Sequence, residues 1–379
     1  MSERCLVLLG IGHTHAHVVR QWMRQPIAHC RLVCISNFPY ATYSGMLPGT
    51  LARQFEPSEM QVDLAALCAA AGAELSLAQV ERVDPERREI HFRQTPPLQF
   101  DALSIGVGSM PAGCHDFQSE LLVPIKPMQT FLQRFDGCIQ RFMPEGLQAN
   151  LEPIRVTIVG GGVASVEIAL CAQTRLKQQF AARSCVIQIV TAGADIASEL
   201  TPRSVRRIKE LLQACGITVI ATTRISEVTQ RAAVDSQGVE YPADCIIWAT
   251  GAVGPPILSQ LGLPLDEKGF IATDRTLRSV TGAPIFAVGD SGTIVDAPVP
   301  KAGVYAVRQS PILWHNLRAI LGTGKLNQFK PQRDFLKLLN TGNGKAILQY
   351  GSLTFYARWC GWLKTYIDKQ FITKYQQPF

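Results

Sequence analysis

Two stretches of the sequence join an apolar run, a glycine cluster and a helical pattern. The first is Cys5-Leu-Val-Leu-Leu-Gly10-Ile-Gly12-His13-Thr-His15-Ala-His17, and the second is Val156-Thr-Ile-Val-Gly160-Gly161-Gly162-Val-Ala-Ser165-Val-Glu167. The chemistry such a stretch can do is anion binding. The first glycine permits a tight turn, and the second lets the backbone approach a pyrophosphate. The helix that follows then points its free N–H groups and its positive end at the phosphates. Two copies about 150 residues apart, each in strand-turn-helix context, make accidental glycine turns an improbable explanation. Both depart from the ideal, because His15 and Ser165 stand where a third glycine is usual, so helix and strand must leave room for a side chain. The acidic residue that binds a ribose hydroxyl is also missing. The strand after the first turn ends Ser36-Asn37 and the one after the second ends Thr191-Ala192, which leaves NAD against NADP open and makes Asn37 a substitute ribose partner.

The elements that must position these turns follow from periodicity. A first strand runs into Gly10, a helix extends to about Met23, and a second strand covers 31–36. The second unit repeats this with a helix to about Phe180 and a strand over 185–191. Two further blocks read as buried strands ending in small-residue turns. Cys245-Ile-Ile-Trp-Ala249-Thr250-Gly251 lies where the chain crosses back to the first domain. Pro284-Ile-Phe-Ala287-Val-Gly289-Asp290 ends in an Asp that can accept from ribityl hydroxyls while the glycine allows close approach. The fold class expected is α/β, with two Rossmann-like dinucleotide-binding domains and a short C-terminal segment.

Length and composition bound the alternatives. The chain has 379 residues, 47% hydrophobic and 18% charged, enough for two or three globular domains and unlike collagen, mucin or disordered chains. Net charge is +7, and residues 331–379 supply +5 of it from seven basic and two acidic residues. The body is therefore nearly neutral, which argues against a nucleic-acid groove. The basic tail either meets an anionic surface or is a solvated helix face. No apolar run reaches the roughly 18 to 20 residues of a membrane span, and the N-terminal run leads into a glycine turn without a signal-peptide cleavage site. Eleven cysteines, mostly single within apolar stretches, behave as small hydrophobes and point to a reducing, cytoplasmic setting.

In order and spacing, Gly10 to Gly12, Gly160 to Glu167, Ala249 to Gly251 and Ala287 to Asp290 resemble the two-dinucleotide-domain flavoproteins of the pyridine nucleotide-disulfide oxidoreductase superfamily. Five further blocks, Gly12-His-Thr-His-Ala-His17, Tyr43-Ser-Gly-Met-Leu-Pro-Gly49, Val123-Pro-Ile-Lys126-Pro127, Lys301-Ala-Gly-Val-Tyr-Ala-Val-Arg-Gln309 and Lys364-Thr-Tyr-Ile-Asp368, are similar to the oxidoreductase module fused ahead of selenophosphate synthetase. That module is itself similar to type II NADH dehydrogenases. The sequence ending at Phe379 leaves no room for the kinase, so the module is expected to stand alone.

The resemblance implies FAD bound by residues 1–112 and 252–330, NAD(P)H bound by 113–251, and 331–379 as a C-terminal interface or membrane-surface segment. It implies two-electron transfer from NAD(P)H through the flavin to a quinone or other small acceptor. Gly10, Gly12 and His13 are expected at the FAD pyrophosphate, with Gly108 and Gly289 close to the cofactor and Asp290 on its ribityl chain. Gly45, Met46, Leu47 and Pro48 are expected beside the isoalloxazine. A helix opening near Ala302-Gly303 would aim its N–H groups at the flavin's pyrimidine carbonyls. Gly160, Gly162 and Ser165 are expected at the NAD(P)H pyrophosphate, with Gly251 nearby. Glu167, placed on the first helical turn, is either the carboxylate near the nicotinamide or a solvated helix-start residue. Lys126 either meets cofactor or lies on the surface.

Other readings stay open. No Cys lies between 38 and 60, which rules out a dithiol relay after the first motif. An alternative sulfur- or selenium-compound oxidoreductase would need one free thiol, with Cys114 and Cys360 as candidates. A flavin-binding regulatory protein with little turnover is the other alternative. Ala302-Gly303 replaces the Ala-Gln of type II NADH dehydrogenases, which removes one quinone-site residue. His13, His15 and His17 alternate as metal ligands can, but they fall in a phosphate-facing turn, and phosphate support or helix packing is preferred to a metal. Phe355, Trp359, Trp362 and Tyr366 fall on one helical face with Arg358, Lys364, Lys369 and Lys374 nearby. That face suits peripheral contact with the inner side of a membrane, a homodimer, or cover for the flavin domain.

Overall fold

The computed structural model describes residues 3–140, 152–181, 183–332 and 334–377. In chain order its main elements are β1 (Arg4–Leu9), α1 (His13–Arg24), β2 (Cys30–Ser36), α2 (Leu47–Leu51), β3 (Glu74–Leu77), β4 (Ala102–Ile105), β5 (Leu122–Pro124) and α3 (Met128–Gln140). There follow β6 (Ile154–Val159), α4 (Val163–Gln179), β7 (Cys185–Val190), α5 (Pro202–Ala214), β8 (Thr218–Ile220), β9 (Cys245–Trp248) and β10 (Ile285–Ala287). The chain then forms α6 (Gly303–Leu321), β11 (Lys337–Asn340), β12 (Ala346–Tyr350), β13 (Leu353–Ala357) and α7 (Arg358–Gln376).

Two five-stranded parallel sheets carry the molecule. The first has the order β10-β4-β1-β2-β3 and the second the order β5-β9-β6-β7-β8. Parallel neighbours need crossover connections, which cover both faces of a sheet, so its central strands read as continuous apolar runs. Leu6, Val7 and Leu8 of β1 and Val156 and Ile158 of β6 are accordingly buried. Between the sheets, Met110–Pro111 pairs antiparallel with Ala252–Val253, so the outgoing and returning chain segments cross side by side.

Each sheet presents its glycine turn at the carboxyl end of its middle strand. Gly10 has φ +79°, and a Cβ there would lie 2.8 Å from the Gly106 carbonyl oxygen. Gly160 has φ +132°, and a Cβ there would come within 2.2 Å of the Ala249 carbonyl oxygen. Only glycine permits this backbone direction together with this approach of the neighbouring strand.

The C-terminal segment is an antiparallel sheet, β11-β12-β13, followed by α7. The expected four-aromatic helical face is corrected here. Phe355 belongs to β13, and α7 starts only at Arg358, because the β12–β13 ladder holds residues 353–357 extended. Phe355 still packs on Trp359, with ring centroids 5.7 Å apart. Trp359, Trp362 and Tyr366 all remain exposed, Trp362 to 70%. Among the described residues no helix is long and apolar enough to cross a membrane.

Candidate active site

The first glycine turn is built around His15. Its Nδ1 bonds the Gly10 carbonyl at 2.5 Å and its Nε2 bonds Ser104 Oγ at 2.7 Å, with only 1% of the residue exposed. The space the sequence requires for this side chain comes from Gly106, where a Cβ would sit 2.8 Å from the imidazole. Burial pushes His15 down to about 4, so it is a neutral tie between α1 and β4. Gly106 and Ser104 were not anticipated. The available signal was the second glycine-rich strand end, Ile105-Gly106-Val-Gly108.

His13 opens α1 and points elsewhere. Its ring lies 5.2 Å from Tyr43 and 5.5 Å from Phe371 of α7, and Tyr43 and Phe371 stack at 4.5 Å. Its Nε2 is buried without a partner, and burial, against the pull of Asp290, lowers it to about 4. A buried nitrogen left in this state costs free energy unless a ligand satisfies it. Gly12 is the N-cap of α1, with no side chain covering the first-turn amides.

Asp290, directly after the β10 strand end, is held by two donors on one oxygen. Lys126 Nζ reaches Oδ2 at 2.9 Å and Ser109 Oγ reaches it at 2.7 Å, while Lys126 also bonds Ser109. Burial opposes the charge, but the Lys126 cation and the hydroxyl outweigh it and hold the carboxyl below its usual range. Both bonds fall on Oδ2, which leaves Oδ1 for a ligand hydroxyl. Lys126, for which a surface position was an alternative, is therefore a partner of Asp290. Gly289 donates its N–H to Gln309 of α6 at 2.6 Å, and Gly108 donates to Ser291 Oγ at 2.8 Å. Ala302 caps α6, which opens at Gly303. The preceding Lys301 donates to the Gly292 carbonyl and to Thr293, and burial lowers it to about 8. Asn37 is exposed just beyond β2.

The 45–48 segment is corrected in part. Met46, Leu47 and Pro48 turn inward with the start of α2, which packs on α4, so their side chains are buried in the core. Only Gly45 of the four stays partly accessible. Its carbonyl accepts from Lys364 Nζ at 2.9 Å.

Lys364 is the largest correction. A surface cation was expected, yet the residue is only 8% exposed and also bonds Asp368 at 3.0 Å. Tyr43 donates to the other oxygen of Asp368 at 3.1 Å. Burial works against the charge of Lys364, but Glu167 and Asp368 override it and raise the amine. Glu167 is the fifth residue of α4, one turn later than expected because α4 begins at Val163. It is not a solvated helix-start residue. Asn340 donates its N–H to Oε1 at 2.6 Å, and burial lifts the carboxyl to about 7 against the opposing pull of Lys364. Asp368 and Asn340 were missed as site residues, although the Lys364/Asp368 spacing of four is the helical ion-pair signature.

The second turn departs from expectation at one residue. Ser165 is fully buried and donates to the Ala249 carbonyl at 3.3 Å, so its hydroxyl serves packing between α4 and β9 and does not line the cradle. Gly162 caps α4, and Val163 N–H is bonded by the Glu199 carboxylate at 2.8 Å. Gly251 is exposed at the crossing, where its carbonyl accepts from Ala112. Cys114 and Cys360 are both buried with thiols pushed up by burial, the opposite of an activated thiolate.

The sequence pattern of the pyridine nucleotide-disulphide oxidoreductases matches residues 7–316. The demethylphylloquinone reductase NdbB of Synechocystis sp. is 29% identical over 183 residues, 45% of this chain and 43% of that protein. The type II NADH:quinone oxidoreductase of Haemophilus influenzae is 26% identical over 212 residues, 53% of this chain and 47% of that protein. The chain thus spans less than half the length of these relatives. Among solved structures, the sulfide:quinone oxidoreductase of Aquifex aeolicus superposes with TM-score 0.80 at 17% identity, covering 99% of this chain and 92% of that one. NDH2 of Plasmodium falciparum in complex with NADH superposes with TM-score 0.77 at 13% identity, covering 99% of both chains. At such identities the likeness establishes the fold.

Proposed function

The chain belongs to the pyridine nucleotide-disulphide oxidoreductase family, and on that premise we propose that it is an FAD-dependent NAD(P)H dehydrogenase delivering electrons to a quinone or another small acceptor. The observation that carries the reading is the pair of glycine cradles, one at the end of β1 and one at the end of β6, each opening onto a helix N-terminus. A single chain with two such cradles accommodates one dinucleotide as a resident cofactor and a second as donor. Bound FAD would supply the two-electron chemistry between nicotinamide and acceptor.

The residues present fit that cofactor. Gly10 and Gly12 offer close backbone approach, His13 offers a buried nitrogen without a partner, and Asp290 offers a free carboxylate oxygen. Gly45, Gly108, Gly289, Asn37 and the Ala302–Gly303 start of α6 complete the proposed FAD contacts, within a domain formed by 1–112 and 252–330. Gly160, Gly162 and Gly251 are assigned to NAD(P)H in 113–251. Glu167 is the proposed proton holder. Its carboxyl, near 7, can take up or release a proton around neutral pH, and Asn340 N–H and Lys364 support the charged form when the proton leaves. Lys126 fixes the carboxylate of Asp290.

For the C-terminal segment, the exposed Phe355, Trp359, Trp362 and Tyr366 support contact with the inner face of a membrane or a homodimer in a cytoplasmic protein. The finer likeness to the module fused to selenophosphate synthetase rests on the sequence blocks alone. An anaerobic absorbance titration of the purified protein tests the central reading. Bleaching of a flavin band by NADH or NADPH is expected and identifies the donor. A flavin band that neither nucleotide bleaches would overturn it.

A further inference from the structure

The geometry points to Glu199 as a resident anion of the pyridine-nucleotide cradle, seated where the pyrophosphate of NAD(P)H must bind and thereby setting how tightly that donor is held. This rests on the NAD(P)H reading of the second cradle. Glu199 Oε1 accepts from Val163 N–H at 2.8 Å, and it lies 3.6 Å from where a Cβ on Gly162 would be. The glycine that should let phosphate approach the backbone therefore faces a carboxylate oxygen instead. A helix N-terminus favours an anion there, and α4 has no acidic residue in its own first turn, so the loop supplies one from 36 positions along the chain.

The loop is built to hold the carboxylate in place. Ala197, fully buried and at φ +47°, donates its N–H to the Gly161 carbonyl at 2.6 Å, which fastens the loop to the glycine turn. Ile196 beside it is fully buried. On one side Asp195 pairs with Lys209 at 2.7 Å. On the other, Thr201 N–H bonds Gln349 of β12 at 3.0 Å. A buried non-glycine residue in the left-handed region costs about 1 kcal/mol or more in backbone strain, so this conformation is retained against a local preference. Glu199 itself is exposed, and its side chain can rotate into solvent without unpacking the core. The consequence is competition. A dinucleotide must take the Val163 amide from the carboxylate and tolerate or expel a like charge. The effect is graded affinity at an open site, selective against ligands that carry a pyrophosphate.

The test is calorimetric titration of the FAD-loaded full-length protein with ADP-ribose, which carries the pyrophosphate but cannot reduce a flavin, repeated with NADH. Glu199→Ala is expected to lower the ADP-ribose dissociation constant roughly three- to tenfold, the scale of one helix N-terminal contact. Glu199→Gln, which keeps an acceptor oxygen without the charge, is expected to tighten binding by less. Flavin absorbance should be unchanged in both, and melting temperature should fall by no more than the few degrees that loss of one helix-cap contact implies. Measurable binding that is equal or weaker in Glu199→Ala overturns the inference and leaves the NAD(P)H reading standing. Absence of binding in the wild type and in both variants overturns the two together.

Discussion

Replacing Glu167 by Gln removes a carboxyl that burial lifts from 4.5 to about 7. In the folded chain this group keeps its proton to near neutrality, whereas in the unfolded chain it gives the proton up near the ordinary carboxyl value of 4.5. Between those two pH values the native state binds more protons, so stability falls as pH rises through this window and the loss is complete just above 7. At about 1.4 kcal/mol per pKa unit the whole shift is worth about 3.5 kcal/mol, of which the wild type loses about 2.5 kcal/mol between roughly pH 5 and pH 8. The support from Lys364 and from the Asn340 N–H is already contained in that shift. Glu167→Gln does not titrate, and its amide oxygen can still accept from Asn340. Relative to wild type, the variant should therefore gain about 2.5 kcal/mol on going from the acid to the alkaline condition. Urea unfolding of FAD-saturated protein at both pH values measures the difference. The rate of flavin reduction by NAD(P)H should also lose its inflection near 7 in the variant. Parallel stability curves for the two proteins would refute the enclosure of this carboxyl, whatever happens to the rate.

Gly10→Ala places a methyl 2.8 Å from the Gly106 carbonyl at φ +79°, and soluble yield and melting temperature should drop; at Gly12 a Cβ lies an ordinary 3.7 Å from the same oxygen, so Gly12→Val should fold and lose FAD, read as the flavin-to-protein absorbance ratio. Lys126→Met should speed FAD loss about tenfold by freeing Asp290 from its cation, and Lys126→Arg should recover most of the retention. Trp359→Ser with Trp362→Ser should change stability by less than about 0.5 kcal/mol, since both side chains are exposed, yet reduce either co-sedimentation with anionic vesicles or the dimer fraction in sedimentation velocity. If neither readout moves, the aromatic face is not a docking surface.

The glycine turns were legible because their requirements are local. Positive φ, a strand before and a helix after are set by a dozen neighbouring residues; β1 and β6 begin within two residues of where the pattern places them, and α1 and α4 end within one residue of theirs. What the sequence hid were partners far apart along the chain. His15 needs Ser104 and Gly106, about 90 positions away, and nothing near His15 reveals that a glycine on another strand makes room for it. Lys364 read as one of four basic residues beside an aromatic stripe, because periodicity tells which residues share a face and not which face is covered. Its acceptor is the Gly45 carbonyl, 319 positions earlier. Phe355 failed for a related reason. Its spacing continues the helical period across a strand–helix boundary, and only the ladder with β12 shows that the period is coincidental there.

One helix serves both the outer surface and the buried site. On α7, Trp362 and Lys364 are two residues apart, which on an α-helix places them about 200° from each other, and their exposures of 70% and 8% follow that angle. The outward face presents aromatic rings. The inward face supplies the cation that meets Gly45 and Asp368 and supports the charged form of Glu167. Further along, Phe371 closes over His13 and Tyr43 at the first cradle. A surface or partner that covers the outer face therefore bears on the same rigid rod that holds Lys364 and Phe371 in place, and any tilt of α7 changes the spacing of Lys364 to Glu167 and of Phe371 to His13 together. The electrostatics of Glu167 and the packing against His13 are in this way properties of how the C-terminal helix is seated, although neither residue belongs to it.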